Sequence, residues 1–587
     1  MDFSPNPTAA EASDTARTWL DAFATSLSKE DISSFVSLFL ETGWFRDNLV
    51  FTWTHRSLCG HDLITKYLSS TRPNTRITNV QLDRAVNVSF LPERNILEAA
   101  FTFETLNAYG RGMIMLQPVG NEWKALVVYM TLVDIKGHEE RGSESGLYEN
   151  HTKTWNEVFQ ERQAAIEKDP HVIILGAAQS GLNVGARFRQ MNIPALLIEQ
   201  SDKVGDVWRN RYPSLTLHTP NNHHSMLYTR PATNAPKFTP RDKVAAMLEQ
   251  YAYNQDLVIW TRSTIAPYPN YDPESKRWTV KVIRDGKEII FHPFHIILGI
   301  GTLGKPYVPS LPGRELFAEE SLHATNFKHP SLYAGKKTIV VGACQTSADI
   351  CQDLATHGAA SVTMVQRSST VVASAEYIQK NNLDVLWPMH ADPLVGDFQA
   401  AAMPLGLLKR ILIASRFKRV ADQKEMLEGL LKAGLNVNEG PEGAGQPLMV
   451  FERLGGYWLD IGTANLIIQG KVKIKQGTEP AAFASNGLIF KDGSTLEADA
   501  VIFATGYEPI KNIVREIFGE DIANAVTPVW GLDEEGENIR AYTPSGHPGL
   551  WWAIGDFATS RYYSKSLALQ IKARELGLVG NDISTSP

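Results

Sequence analysis

The stretch His171-Val-Ile-Ile-Leu-Gly-Ala-Ala-Gln-Ser-Gly181 decides how this chain is read. Its first five residues form a short apolar run, as expected of a buried parallel strand. Gly176 permits a tight turn after that strand. Gly181 lets the next helix lie close to it. Gln179, Ser180 and Gly181 open this helix, and its free N–H groups and positive dipole end suit a pyrophosphate. The following strand, Ala195-Leu-Leu-Ile198, ends in Glu199, 23 positions after Gly176. An acid there accepts from a ribose hydroxyl. Ala178 stands where the middle glycine of the fingerprint is usual. The bland alternative is a glycine-containing turn with no ligand, and Glu199 argues against it.

Lys337-Thr-Ile-Val-Val-Gly-Ala-Cys-Gln-Thr-Ser347 repeats the pattern. Gly342 keeps the turn, Cys344 and Ser347 replace the next two glycines, and Gln345 and Thr346 lie between them. The strand Val362-Thr-Met-Val-Gln366 leads into Arg367 and Ser368, with Arg367 25 positions after Gly342. A guanidinium there suits a ribose 2′-phosphate bidentately; the plain alternative is a surface salt bridge. One unit closed by an acid and one by a base imply two different dinucleotides, the second being NADPH rather than NADH. Cys344 reads as a small residue packed at the turn rather than a redox centre.

The 587 residues exceed one hydrophobic core and predict two to four domains. Hydrophobic residues at 43% and charged residues at 21% are ordinary for a globular chain. A net charge of −7, with no basic run, argues against a nucleic-acid partner. Cys59, Cys344 and Cys351 form no C-x-x-C pair, which suits a reducing compartment. No basic-then-apolar leader and no spanning apolar run are evident, so the expectation is a cytoplasmic protein without a membrane span.

Ahead of the fingerprints, Ala16, Trp19, Leu20, Phe23, Ala24 and Leu27 recur at helical spacing, and a second helix is expected over Ile32, Phe35, Leu38 and Phe39. Leu97–Glu104, Gly112–Leu116 and Trp123–Met130 read as strands. Helices followed by strands predict an α+β unit over 12–135. With Trp44-Phe-Arg-Asp47, Phe51-Thr-Trp53 and Gly60-His-Asp62 it resembles the NTF2-like (SnoaL-like) cone. Trp44, Phe51 and Trp53 are read as core rather than as a pocket lining. Residues 136–169 read as a polar linker with one helix near Trp155 to Ile166.

Between the fingerprints, Phe317-Ala-Glu-Glu-Ser-Leu-His-Ala-Thr-Asn-Phe327 has the spacing F-x-G-x-x-x-H-x-x-x-(F/Y/W), with Glu319 in place of the glycine. With Gly205-Asp-Val-Trp-Arg209, Gly299-Ile-Gly301, Lys305-Pro306, Phe503-Ala-Thr-Gly-Tyr507, Gly555-Asp556 and Ser564–Gln570, residues 170–580 resemble the class B flavin monooxygenases. Within that family the chain is similar to a fungal branch with an N-terminal extension, related to the plant auxin-forming enzymes. The resemblance implies an α/β architecture of two Rossmann-like domains behind the α+β unit, with FAD on 170–334 and 499–587 and NADPH on 335–498. It adds Gly205, Trp208, Arg209, Thr505, Gly506, Tyr507, Gly555 and Asp556 to the cofactor-binding set.

The implied chemistry is reduction of FAD by NADPH, addition of O₂ to give a C4a-(hydro)peroxyflavin, and transfer of one oxygen atom to a small organic substrate. Phe327 at the motif's end favours nitrogen or sulfur oxygenation, with secondary metabolism as the expected setting. Baeyer–Villiger or decarboxylating oxygenation of a ketone or 2-oxo acid is the enzyme alternative, and a nucleotide-binding redox sensor is the alternative of another class. His218, in Leu215-Thr-Leu-His-Thr-Pro220, is expected to hydrogen-bond near the flavin or NADP⁺ and to tune the adduct's protonation, the plain alternative being a buried structural histidine; Asn221 and Asn222 are second-choice flavin-side candidates. His323 is expected in an inter-domain hinge. His223 and His224 read as a solvated loop rather than a metal site, and no metal centre is expected. NTF2-like sheets often pair, so a homodimer is a further expectation.

Overall fold

The computed structural model describes residues 7–29, 31–71 and 75–579. The four apolar residues before Gly176 build the centre of a parallel sheet. Ile259–Trp260, Ala195–Ile198, Val172–Leu175, His295–Leu298 and Leu550–Trp552 lie side by side in that order, all parallel. Val172–Leu175 is buried along its whole length, which is why it reads as a continuous apolar run. The sheet is completed by Leu550–Trp552, which returns from far along the chain and leads into the helix Phe557–Glu575.

A second parallel sheet follows the same logic. Its order is Glu320–His323, Ala500–Phe503, Lys337–Val341, Ser361–Gln366 and Val472–Gln476. These are the two Rossmann-like units expected from the sequence. Between Ser361–Gln366 and Val472–Gln476 the chain makes a long excursion. It contains a small parallel sheet (Val437–Asn438, Thr370–Ser374, Tyr457–Asp460) and helices that include Pro393–Ala402 and Leu405–Ala414.

The N-terminal region is α+β. Helices Ala9–Ser28, Ile32–Ser37 and His61–Thr71 accompany a seven-stranded sheet. Thr8 and Glu11 form a capping box that starts the first helix. Phe39 departs from the helical expectation: the second helix ends at Ser37, and Phe39 begins the strand Phe39–Asn48. Its ring lies 5.4 Å from Phe35 and 6.2 Å from Phe45. One aromatic cluster therefore spans the helix–strand junction, and apolar spacing alone could not divide it. The linker helix runs Trp155–Lys168 from a second capping box, Thr154 with Glu157.

One face of the N-terminal sheet packs on its own helices around Trp19, Phe23 and Phe101. The other face packs Trp44, Met113, Met115 and Tyr129 against Phe398, Ala401 and Leu407 of the excursion. Trp44 presses on Gly406 so closely that a Cβ there would lie 2.4 Å from the indole. Trp44 is thus buried between domains, while Phe51 packs within its own. Among the described residues, no helix is long and apolar enough to cross a membrane.

Candidate dinucleotide and substrate site

Gly176 turns with φ +96°, and an added Cβ would sit 2.5 Å from the Gly299 carbonyl. Gly181 packs so tightly on the Gly176 carbonyl that a Cβ would overlap it at 1.9 Å. Both glycines are needed by the protein's own close packing. Helix Gln179–Gln190 then starts from Ala178 without a side-chain cap, which leaves Gln179 and Ser180 on an open helix start. Glu199 accepts from Ala177 N–H at 2.9 Å and from Ser201 N–H at 2.8 Å. The acid is held to its own turn, and each oxygen keeps a lone pair for a hydroxyl.

Gly205 (φ +88°) starts the short helix Asp206–Arg209 against the Ala245 carbonyl. Trp208 brings its ring to 6.3 Å from Phe557, and its buried Nε1 has no acceptor. Arg209 is committed to its surroundings: it bonds the Val204 carbonyl and pairs with Asp206 and Glu249.

In the second unit Gly342 has φ +131°, with room against Ala504 O only for a hydrogen. Cys344 caps helix Gln345–Thr356 by position but donates no side-chain bond to it. Thr346 is half-buried, and Ser347 is fully buried with its Oγ unpartnered. Gln345 faces away from the turn: its Oε1 accepts from Leu459 N–H at 2.8 Å and its Nε2 donates to Asp349 at 3.0 Å. Arg367 and Ser368 stand exposed beyond the strand end. Arg367 has one long contact, 3.4 Å to Glu479, and remains free to take an anion.

Two crossovers join the units and pair with each other. Tyr307 N–H donates to Gly506 O, Glu508 N–H to Lys305 O, and Pro306 bridges Tyr507. Thr505 Oγ1 donates to Tyr307 O at 2.5 Å. Gly506, at φ +81°, also receives His323 Nε2 at 3.0 Å. Burial lowers the His323 pKa, so the neutral ring donates to that carbonyl. His323 also stacks edge-on to Tyr507.

The structure separates the expected flavin-side residues. His218 projects from strand Thr216–Pro220 toward the second unit, its Nε2 3.4 Å from Gln345 Nε2 and 3.8 Å from Asp349. Tyr212 (to Asp349) and Ser214 (to Asp353) make the same crossing, each at 2.5 Å. Asn222 spends its amide donors on the carbonyls of Pro388 and Ala391, and thereby pins the excursion loop. The solvated-loop reading of His223 and His224 is overturned: they are 6% and 1% exposed. The reason lies far off in sequence. Arg561 makes a bidentate pair with Asp397, at 2.6 Å to each oxygen, and also takes the carbonyls of His223 and Ser225. Trp387 Nε1 completes the Asp397 shell at 2.8 Å. Gly555 (φ +136°) and Asp556 begin helix Phe557–Glu575 beside this clamp, with Asp556 capping Thr559 N–H at 2.8 Å.

Two uncapped helix starts, unpartnered donors at Trp208 and Ser347 and an exposed guanidinium at Arg367, held only by a 3.4 Å contact to Glu479, fit two anionic dinucleotides. The comparisons agree. A family model described as pyridine nucleotide-disulphide oxidoreductase matches residues 173–384. The probable indole-3-pyruvate monooxygenase YUCCA7 of Arabidopsis thaliana is 28% identical over 342 residues, 57% of this chain and 73% of that one. The indole-3-pyruvate monooxygenase YUCCA1 of Oryza sativa subsp. japonica is 26% identical, over 58% of this chain and 77% of that one. The chain is a relative of the class B flavin monooxygenases. A solved cyclohexanone monooxygenase shares the fold of this flavin-monooxygenase relative, with TM-score 0.51 and 15% identity over 69% of this chain and 88% of that one. Cys59, Cys344 and Cys351 are free thiols.

Proposed function

We propose that the protein is an NADPH- and FAD-dependent monooxygenase that places one atom of O₂ on a small organic substrate, acting in a reducing, cytoplasmic setting. FAD is assigned to residues 170–334 and 499–587, and NADPH to 335–498. The observation that carries this is the pair of open fingerprint turns joined by paired crossovers, one closed by Glu199 and the other by the exposed Arg367. When bound, FAD supplies electron transfer from NADPH and activation of O₂. The chain's residues supply the rest. The open helix starts hold the pyrophosphates, Arg367 and Ser368 select the 2′-phosphate, and His323 holds the crossovers in register. The clamp of Arg561 and Asp397 seals the excursion against helix Phe557–Glu575 and keeps water out.

For the substrate, Phe327 carries less weight than its motif position suggests. It is fully buried and stacked on Tyr333 at 5.5 Å, inside the second unit's core. The relatives named for indole-3-pyruvate favour oxygenation of a 2-oxo acid or ketone as the second reading beside nitrogen or sulfur oxygenation. Residues 12–135 are taken as an NTF2-like scaffold, a reading supported by helices preceding a strongly paired sheet. The sheet face that a homodimer would use is covered by the chain's own excursion, which favours a scaffold within one chain. The test is anaerobic: NADPH should bleach the bound flavin's absorption at a rate that depends on its concentration, and NADH should do so far more slowly. Flavin that neither nucleotide reduces would remove the reading.

A further inference from the structure

Asp556 caps its helix with one oxygen and leaves its side chain 46% exposed. His223 stands against it, with Nε2 3.5 Å from the Asp556 carboxylate. The imidazole meets Trp387 edge-on, at 4.6 Å between centroids and 89° between planes. Its main chain is fixed, because Arg561 holds the carbonyls on either side of His224. Burial, with Arg561 nearby, outweighs the pull of Asp556 and holds the His223 pKa below the ordinary histidine value, which favours the neutral ring. A neutral imidazole has one N–H, and beside a carboxylate that proton belongs on Nε2. Nδ1 is then an acceptor, and it is buried with no donor.

His224 is the internal contrast. Equally buried, it has both nitrogens bonded, to Thr219 at 3.2 Å and Thr239 at 2.7 Å. The clamp thus holds one histidine satisfied and the next with an open nitrogen, beside the start of the returning helix. Buried polar atoms are as a rule partnered, so an unmet acceptor at a helix start points to a bound molecule. Among the described residues, no cluster of ligating side chains suits a metal ion here.

We propose that His223 Nδ1 accepts a hydrogen bond from the molecule bound in front of Asp556, and that this molecule offers an N–H or O–H donor. The donor belongs either to the flavin dinucleotide or to the organic substrate. The assignment rests on the monooxygenase reading, which makes both available. It makes His223 a ligand-contacting residue where the sequence suggested a solvated loop.

Two substitutions test it. His223→Phe keeps the aromatic bulk and removes the acceptor, while His223→Asn returns an acceptor oxygen close to the Nδ1 position. Apoprotein is titrated with FAD, and holoprotein with indole-3-pyruvate and its N-methyl analogue as probes. Folding of each variant is checked by thermal unfolding. If the flavin is the donor, His223→Phe weakens FAD at least tenfold and His223→Asn recovers most of the loss. If the substrate is the donor, FAD binding stays the same while probe binding falls at least tenfold, and the N-methyl probe is insensitive to the change. FAD and probe binding left unchanged by His223→Phe would overturn the assignment, as would Phe and Asn variants that behave alike. A wild-type protein that takes up no FAD at any concentration would instead contradict the monooxygenase reading.

Discussion

At the turns, the proposed nucleotide selectivity rests on single residues. Arg367 stands exposed at a strand end with one 3.4 Å contact to Glu479, so Arg367→Ala should raise the KM for NADPH about 10- to 100-fold, the weight of ~1.5–3 kcal/mol for a hydrogen bond to a charged group. The KM for NADH should hardly move. Steady-state kinetics with both nucleotides checks this, and equal loss with both would remove the 2′-phosphate assignment. At Gly176 the constraint is steric. With φ +96° and a Cβ position 2.5 Å from Gly299 O, Gly176→Ala should give a protein that fails to retain flavin or to fold. Full flavin content in that variant would mean the turn relaxes without consequence. These residues were legible in the sequence because a strand, its turn and the next helix are local. The roles of Arg209 and Asn222 were not, because Glu249, Pro388 and Ala391, which occupy their side chains, are distant in sequence.

Elements are tied together by buried ion pairs that no local pattern announces. Asp397 and Arg561 are 164 positions apart, and their side chains are 0% and 1% exposed. Removing one partner leaves an uncompensated buried charge, so Asp397→Ala should cost about 3–5 kcal/mol. The double change Asp397→Leu with Arg561→Leu should cost less than that single change. Denaturant unfolding of the three proteins decides it, and a double variant worse than the single would show that the clamp stabilises by more than mutual neutralisation. The same distance in sequence explains why His223 read as solvated: its cover comes from Trp387 on the excursion and Arg561 on the last helix. The alternating strands of both Rossmann-like units could be read directly, since parallel strands buried on both faces leave unbroken apolar runs.

At the scale of the whole molecule, the N-terminal sheet is docked rather than appended. Arg46 pairs bidentately with Glu537 at 2.8 Å and donates to the Ala401 carbonyl and to the Tyr563 hydroxyl, which joins three elements through one side chain. Tyr129 and Tyr562 share a hydrogen bond at 2.8 Å beside it. Deleting residues 1–135 would uncover Phe398, Ala401 and Leu407, so the truncated protein should aggregate; a soluble, monomeric truncation with full flavin would show the docking to be dispensable. The interior also sets an acid limit. Burial holds His224 and His295 unprotonated down to about 3. Unfolded, each takes a proton near 6.5, so stability is complete above that pH and falls as pH drops toward 3. Between pH 7.5 and 5.5 the two should remove about 2–3 kcal/mol. Unfolding free energies at the two pH values, compared with a His224→Asn variant, check the sign; a wild type that gains stability on acidification would refute it.

The central claim is that the two joined units deliver electrons from NADPH to a flavin that activates O₂. It is tested most directly by turnover under ¹⁸O₂ with NADPH and a panel of 2-oxo acids, ketones, amines and thioethers, reading the label by mass spectrometry. The account predicts one labelled oxygen in an organic product or its leaving fragment, in step with the NADPH oxidised. All of the label in hydrogen peroxide with every substrate, or a protein that holds no flavin, would contradict it.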